Sequence, residues 1–183
     1  STDPQPPKIM RKFWNLPAVP VYSLLTHDSN GSYNMNCCTY VTPVSMDPKQ
    51  FMVAVYQGTK TLDNLEKNPH QTVVLQLLAP EQASLIRLLG RQSGYRTDKI
   101  QRLQQRGLLD VWRGQSVLKE AAAWAEMQSL GPLMVPTPVL SKGPRSTAGP
   151  GDHQCWLLGL NSSRVLREDC LDNATLRRLG LIR

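Results

Sequence analysis

Phe51 to Thr61 reads FMVAVYQGTKT, and the fold turns on this stretch. Phe51 to Tyr56 is a continuous apolar run, which predicts a strand covered on both faces. Gly58 breaks the strand. Thr59 or Thr61 can then cap a helix running to about Lys67, with Asn68-Pro69 as its stop. A strand that empties through glycine into a helix is a place where a ligand can approach the backbone.

Working outward, short β-type segments recur on both sides. Val19 to Leu25 is a first apolar strand, and Asn30-Gly31 within HDSNGSY is the strongest hairpin signal in the chain. Cys37 to Ser45 (CCTYVTPVS) is small and β-branched, a strand that Pro43 forces to end or bulge. Asp47-Pro48 marks the next turn. Downstream, Thr72 to Leu78 and Cys155 to Leu160 read as buried strands. Pro80 can open a helix through Leu89 with Gly90 as its breaker, and Asp98 to Arg106 forms a short basic helix ended by Gly107. Propensity alone makes Val117 to Met127 (VLKEAAAWAEM) a helix. Leu176 to Ile182 is an amphipathic ending. Short strands with few, short helices favour a β-barrel or an α+β domain.

The chain has 183 residues, 40% of them hydrophobic, enough for one domain with its own core and incompatible with a wholly disordered chain. No apolar run approaches the ~20 residues of a membrane helix. Twenty-one Lys and Arg against 14 Asp and Glu give a net charge of +7, which predicts an anionic partner without choosing among nucleotide, phosphorylated cofactor, nucleic acid and membrane surface. Cys37, Cys38, Cys155 and Cys170 form no disulfide framework, and His153-Gln154-Cys155 is a lone H-x-C, so neither disulfides nor a metal is expected. Reduced thiols suit a cytoplasmic protein. The start at Ser1 reads as a processed or trimmed product, which leaves an organellar destination after removal of a targeting peptide open. The triplets at Asn30, Asn161 and Asn173 are chance matches to a glycosylation signal.

Chemistry concentrates between Thr39 and Thr61. The amides opening a helix after Gly58 can bind a phosphate, with Thr59 and Thr61 adding hydroxyls and Lys60 a charge. The same tetrapeptide is also an ordinary strand-to-helix turn with a threonine cap, and on its own it reads that way first. It is not a P-loop, because the upstream glycine is missing. Cys37, Thr39 and Thr42 are small enough to leave strand amides open to a flat ring, or they merely alternate with core residues. His153 either touches a ligand or is a hydrogen-bonded turn residue. The three histidines suggest no catalytic triad.

Asn34 to Ser45 (NMNCCTYVTPVS), Phe51 to Thr61, Val73 to Leu78 and Gly151-Asp152-His153 occur in an order that resembles the flavin reductase-like, FMN-binding split-barrel family, over about residues 18 to 165. The resemblance implies a mainly β (α+β) fold, an FMN-binding split β-barrel with short peripheral helices. It implies a flexible tail at 1–12 and a single domain at 13–183 with a Pro-rich insert at 131–151. It also implies a homodimer with FMN near the interface. Asn36, Cys37, Cys38, Thr39 and Thr42 would run beside the isoalloxazine ring. Thr42, Pro43, Val44 and Ser45 with Gly58, Thr59, Lys60 and Thr61 would hold the ribityl chain and phosphate, Lys60 as the main phosphate charge and Lys99 as a further basic candidate. His153 would sit near the flavin or the nicotinamide. The resemblance makes Val117 to Met127 a strand, tertiary context overriding propensity. Three features depart from the family: Cys37 and Cys38 replace the usual Thr and Ala or Ser, Met127-Gln128 replaces a commonly Cys-containing strand end, and the Pro-rich insert is long. The insert would either cover the flavin as a lid or hang free.

The activity implied is that of an NAD(P)H-dependent flavin reductase: hydride passes from nicotinamide to flavin, and electrons pass on to free flavin or an acceptor protein. No Rossmann fingerprint separates NADH from NADPH. A non-catalytic FMN-binding or electron-transfer protein is the alternative. A nucleic-acid module, suggested by the basic run Arg87 to Arg106, is disfavoured because Tyr95 is its only stacking residue. Neither a nucleic acid nor a membrane is therefore expected as a partner.

Overall fold

The computed structural model describes residues 18–134 and 151–182. The tail at 1–12 and residues 135–150 of the Pro-rich insert at 131–151 lie outside the described residues, while Gly131 and Pro132 at its start belong to a strand.

Seven strands form one antiparallel sheet: β1 (Tyr22–His27), β2 (Tyr33–Met35), β3 (Val41–Met46), β4 (Lys49–Tyr56), β5 (Thr72–Leu77), β8 (Ala123–Pro132) and β9 (His153–Val165), in the order β2-β1-β5-β8-β9-β4-β3. The Asn30-Gly31 turn folds β2 onto β1, pairing His27 with Tyr33 and Leu25 with Met35. The expected turn at Asp47-Pro48 folds β4 onto β3, and the register shifts between Pro43 and Ser45, a bulge at the residue following the proline.

Alternation along the central strands splits the core in two. On β1, Leu24 faces one cluster and Leu25 the other; on β5, Val73 and Leu75 face the first and Val74 the second. The first cluster is wrapped by the curled sheet itself, with Val53, Val55, Met127, Trp156 and Leu158, and is closed by Leu62 and Leu65 of α1 (Lys60–Lys67). The second lies outside the sheet. It is covered by a 3-10 turn (Pro80–Leu85), a π turn (Arg87–Arg91), α2 (Lys99–Gln105), the hairpin β6–β7 (Leu109–Trp112, Gln115–Leu118) and α3 (Asn173–Arg178). The chain is thus mainly β with short peripheral helices, as expected.

Four local expectations need correction. The segment Cys37 to Tyr40 is a loop, joined to β1 by a pair of hydrogen bonds between Cys38 and Tyr22 (both 2.8 Å); only Val41 onward is strand. Phe51 to Tyr56 is covered on one face only: Val53 and Val55 are buried, while Met52 and Ala54 are half-buried and Tyr56 is exposed, because the second core cluster includes no residue of β4. Pro80 to Leu89 is not one α-helix, and Gly90 sits inside the π turn rather than ending it. Val117 to Met127 is strand at both ends, but a turn at Lys119–Ala122, where Glu120 takes φ 63°, divides it between β7 and β8.

Candidate flavin cleft

Pairing of β4 with β9 sets Tyr56 opposite His153 and brings the chain to Gly58 at the end of the sheet. Thr59 caps α1: its Oγ1 accepts from the Leu62 amide (3.3 Å) and donates to the Tyr56 carbonyl (2.8 Å). The amides of the first helical turn have no partner within the helix. Gly58 to Thr61 form one end of a cleft of about 650 Å³, within the range of small-molecule sites. Behind this end, Thr61 is buried and its hydroxyl accepts from Asn34 Nδ2 at 3.1 Å. The Lys60 ammonium stands 3.6 Å from Asp28 and 4.0 Å from Asp63, and 5.6 Å from the centre of the Tyr95 ring. Its charge is therefore shared with two carboxylates rather than reserved for the cleft.

The loop Asn36 to Tyr40 makes a second wall. Asn36 Oδ1 accepts from the Leu24 amide at 2.8 Å, and the Cys38–Tyr22 pair fixes the other end. Burial pushes the Cys37 thiol up to about 11, opposed by nearby Lys99, and pushes Cys38 higher still. Both stay thiols at neutral pH, so this wall is neutral and offers no nucleophile. Lys99 lies beneath it, buried, its ammonium donating to the carbonyls of Leu89 (2.7 Å) and Met35 (3.0 Å). Burial lowers its pKa to about 8, with Cys37 opposing.

The third wall runs from Ile86 through Leu89 to Gly94 and is completed by Leu176, Leu181 and Ile182. Gly94 is required by close approach: a Cβ there would meet Asn34 Oδ1 at 2.4 Å and Lys60 Cβ at 2.8 Å. At the mouth, the His153 ring lies 4.9 Å from Tyr40 and 5.2 Å from Tyr56, and its Nδ1 is 2.7 Å from Asp152 Oδ1. The carboxylate accepts, so Nε2 is the ring atom left for other contacts.

Ten sequence-derived candidates therefore share this cleft: Asn36, Cys37, Cys38, Thr39, Gly58, Thr59, Lys60, Thr61, Lys99 and His153. Thr42, Pro43, Val44 and Ser45 do not line it. They lie on the edge strand β3, with Thr42, Pro43 and Val44 exposed. Sequence reasoning missed Asn34, the 91–94 loop and the Leu181–Ile182 pair; the four-residue spacing of Gly90 and Gly94 was the only readable trace. The basic run Arg87 to Arg106 presents no single charged face, since Lys99 is buried and Arg91 donates to the Leu181 carbonyl. Among the described residues, no cluster of His, Cys, Asp and Glu could hold a metal, and no helix is long and apolar enough to cross a membrane.

The cleft combines the helix-opening backbone of Gly58 to Thr61, the apolar side chains of Ile86, Leu89, Leu176 and Ile182, and the small, neutral stretch Cys37 to Thr39. A ligand with a phosphate at one end and a flat ring at the other fits these residues. The sequence profile of the flavin reductase like domain matches residues 16–156.

The chain belongs to the flavin reductase-like family. Its solved structural neighbours agree on the fold, a split barrel. BorF, the flavin reductase component of a bacterial two-component tryptophan halogenase, is 18% identical, with a TM-score of 0.65 over 86% of this chain and 87% of that one. An FMN-binding protein from Thermus thermophilus is 19% identical, with a TM-score of 0.63 over 91% and 79%. The NADH:FAD oxidoreductase SgcE6 from Streptomyces globisporus, in complex with NAD and FAD fragments, is 15% identical, with a TM-score of 0.62 over 84% and 78%. No curated protein matches by sequence. Membership places this flavin reductase-like domain among flavin-handling oxidoreductases, and the cleft at the β4–α1 junction is where its residues suit a flavin.

Proposed function

We propose that this flavin reductase-like chain, a single domain spanning 13–183, binds FMN in the cleft and takes hydride from NADH or NADPH. The observation that carries this reading is that one cleft is lined both by the capped N-terminus of α1 and by the apolar side chains of Ile86, Leu89 and Ile182.

The bound flavin supplies the hydride-accepting ring, so the protein needs no acid or nucleophile of its own. The residues do the holding. The amides of Lys60 and Thr61 would bind the phosphate, aided by the helix dipole, while the Thr59 hydroxyl, donating to the Tyr56 carbonyl, holds the turn in place. The backbone of Cys37 to Thr39 would lie along the ring, and its neutral thiols add no competing charge. The Lys99 cation beneath that wall favours negative charge in the cleft. Tyr40, Tyr56 and His153 at the mouth offer flat faces to a nicotinamide, with Asp152 fixing the histidine tautomer.

A homodimer is supported by the open face of the sheet edge: Tyr40, Val44, Met46 and Tyr56 are exposed, Met46 at 88%. A second copy there would bring Thr42 to Ser45 against a neighbour, which gives those residues a role this single chain does not. Four free cysteines suit a reducing, cytoplasmic setting.

The test is anaerobic addition of NADH or NADPH to the FMN-loaded protein. Bleaching of the flavin absorption with either donor supports the reductase. A spectrum unchanged by both donors leaves a non-catalytic FMN or electron-transfer protein. A chain that takes up no flavin overturns the reading altogether.

A further inference from the structure

The family profile ends at residue 156, yet the cleft does not. Its apolar end is completed by residues that follow α3. Asp172 caps that helix, accepting from the Thr175 amide at 2.8 Å. The helix then stops at Leu179, and Gly180 takes φ 67°, a left-handed conformation that favours glycine. Two hydrogen bonds close the turn, Gly180 N to Arg177 O (2.9 Å) and Leu181 N to Leu176 O (2.9 Å). The reversal turns Leu181 and Ile182 back onto the cleft, where both line it and pack, half-buried, against the outer core cluster. The Arg91 guanidinium, from the π turn on the same wall, donates to the Leu181 carbonyl and ties the returning segment down.

Leu171 and Leu176 are the fully buried members of that core cluster in this region, while Leu181 and Ile182 pack against it only half-buried. Their remaining aliphatic surface lines the cleft, and Leu179, two residues before Leu181, is left 55% exposed.

We propose that Leu181 and Ile182, held by Arg91, form a ligand-contacting wall that sets how tightly this chain retains its flavin, built from residues beyond the span of the family profile. The inference rests on the flavin reading of the cleft. The ligand class it takes is the apolar ring system, not the phosphate. It therefore affects FMN and riboflavin alike.

The experiment is titration of the intact chain and its variants with FMN and with riboflavin, followed by flavin fluorescence. Leu181→Ala/Ile182→Ala should weaken both ligands about tenfold, equivalent to about 1.4 kcal/mol. Arg91→Met should weaken both by a smaller factor. Ile182→Trp tests the wall by filling it: the half-buried position accepts the larger side chain, and both flavins should be excluded while the far-ultraviolet circular dichroism stays that of the parent. Parent-like affinities in the double variant and in the tryptophan variant would overturn the inference while leaving the flavin reading intact. Failure of the unaltered chain to bind either flavin would overturn both.

Discussion

The Lys99 ammonium donates to the Leu89 carbonyl at 2.7 Å, in the interior, directly beneath the wall that Cys37 builds. With the 3.0 Å bond to Met35, this one cation joins α2, the π turn and the end of β2. It holds two sides of the cleft at a fixed spacing.

A pH dependence follows. Burial lowers the Lys99 pKa from 10.5 to about 8. Between those values the unfolded chain binds the proton and the folded chain does not, so this group's contribution to stability rises with pH across the window. The cost of the buried charge is present in full below about pH 8. Cys37, at about 11, stays protonated through most of the same range. Urea unfolding of the wild-type chain and Lys99→Met at pH 7, 8.5 and 10 should show the wild type gaining on the variant as pH rises. Parallel dependences would contradict it.

Thr59→Ala removes the cap of α1, an effect of about 1 kcal/mol on stability. Fraying the first turn also weakens the anion site. The ratio of FMN to riboflavin affinity should fall by up to about fivefold, the scale of a charge interaction at a helix terminus. Competitive titration of the two ligands reads that ratio directly, and an unchanged ratio would place the phosphate elsewhere.

Gly94→Ala forces a Cβ into the space held by Asn34 Oδ1 and Lys60 Cβ. Neither can retreat freely, since Asn34 is bonded to buried Thr61 and Lys60 begins α1. The expected cost is about 1–3 kcal/mol, as for other overpacked sites. Denaturant unfolding gives the cost, and FMN titration should show a weaker site with the same number of flavins per chain.

His153→Ala separates holding the flavin from using the donor. The ring packs against Tyr40 and Tyr56 and takes no part in the α1 cap that holds the phosphate-binding amides. FMN affinity should stay within about threefold of the parent, while the rate of flavin reduction by the preferred dinucleotide falls by roughly tenfold or more, as for loss of a positioning contact. Stopped-flow reduction of the loaded protein measures the second quantity. A fall in flavin affinity alone would move His153 from the donor side to the flavin side.

How far the sequence revealed this arrangement depended on range. Gly58 to Lys67 was readable because its signals are local: an apolar strand, a glycine, a threonine cap and Asn68-Pro69 as a stop. The Asn30-Gly31 hairpin was readable for the same reason. The β6–β7 hairpin was not, because its turn is Arg113-Gly114, where an arginine takes a positive φ that its side chain does not advertise. The break in Val117 to Met127 hides similarly at Glu120. In the cleft, Lys99 could be suspected as a basic residue, but its role under the Cys37 wall depends on carbonyls 10 and 64 residues away. Leu181 and Ile182 look like an ordinary amphipathic ending until Gly180 turns them back. Thr42 to Ser45 show the limit of a single chain: the family pattern implies them at the flavin, and here they lie on the edge strand β3, outside the cleft that one chain forms.

The most direct measurement is a crystal structure of the chain grown with FMN. This account predicts the phosphate within hydrogen-bonding distance of the Lys60 and Thr61 amides, and the ring between the Cys37–Thr39 backbone and the Leu181–Ile182 turn. FMN bound elsewhere, or a cleft that stays empty under saturating FMN, would contradict it.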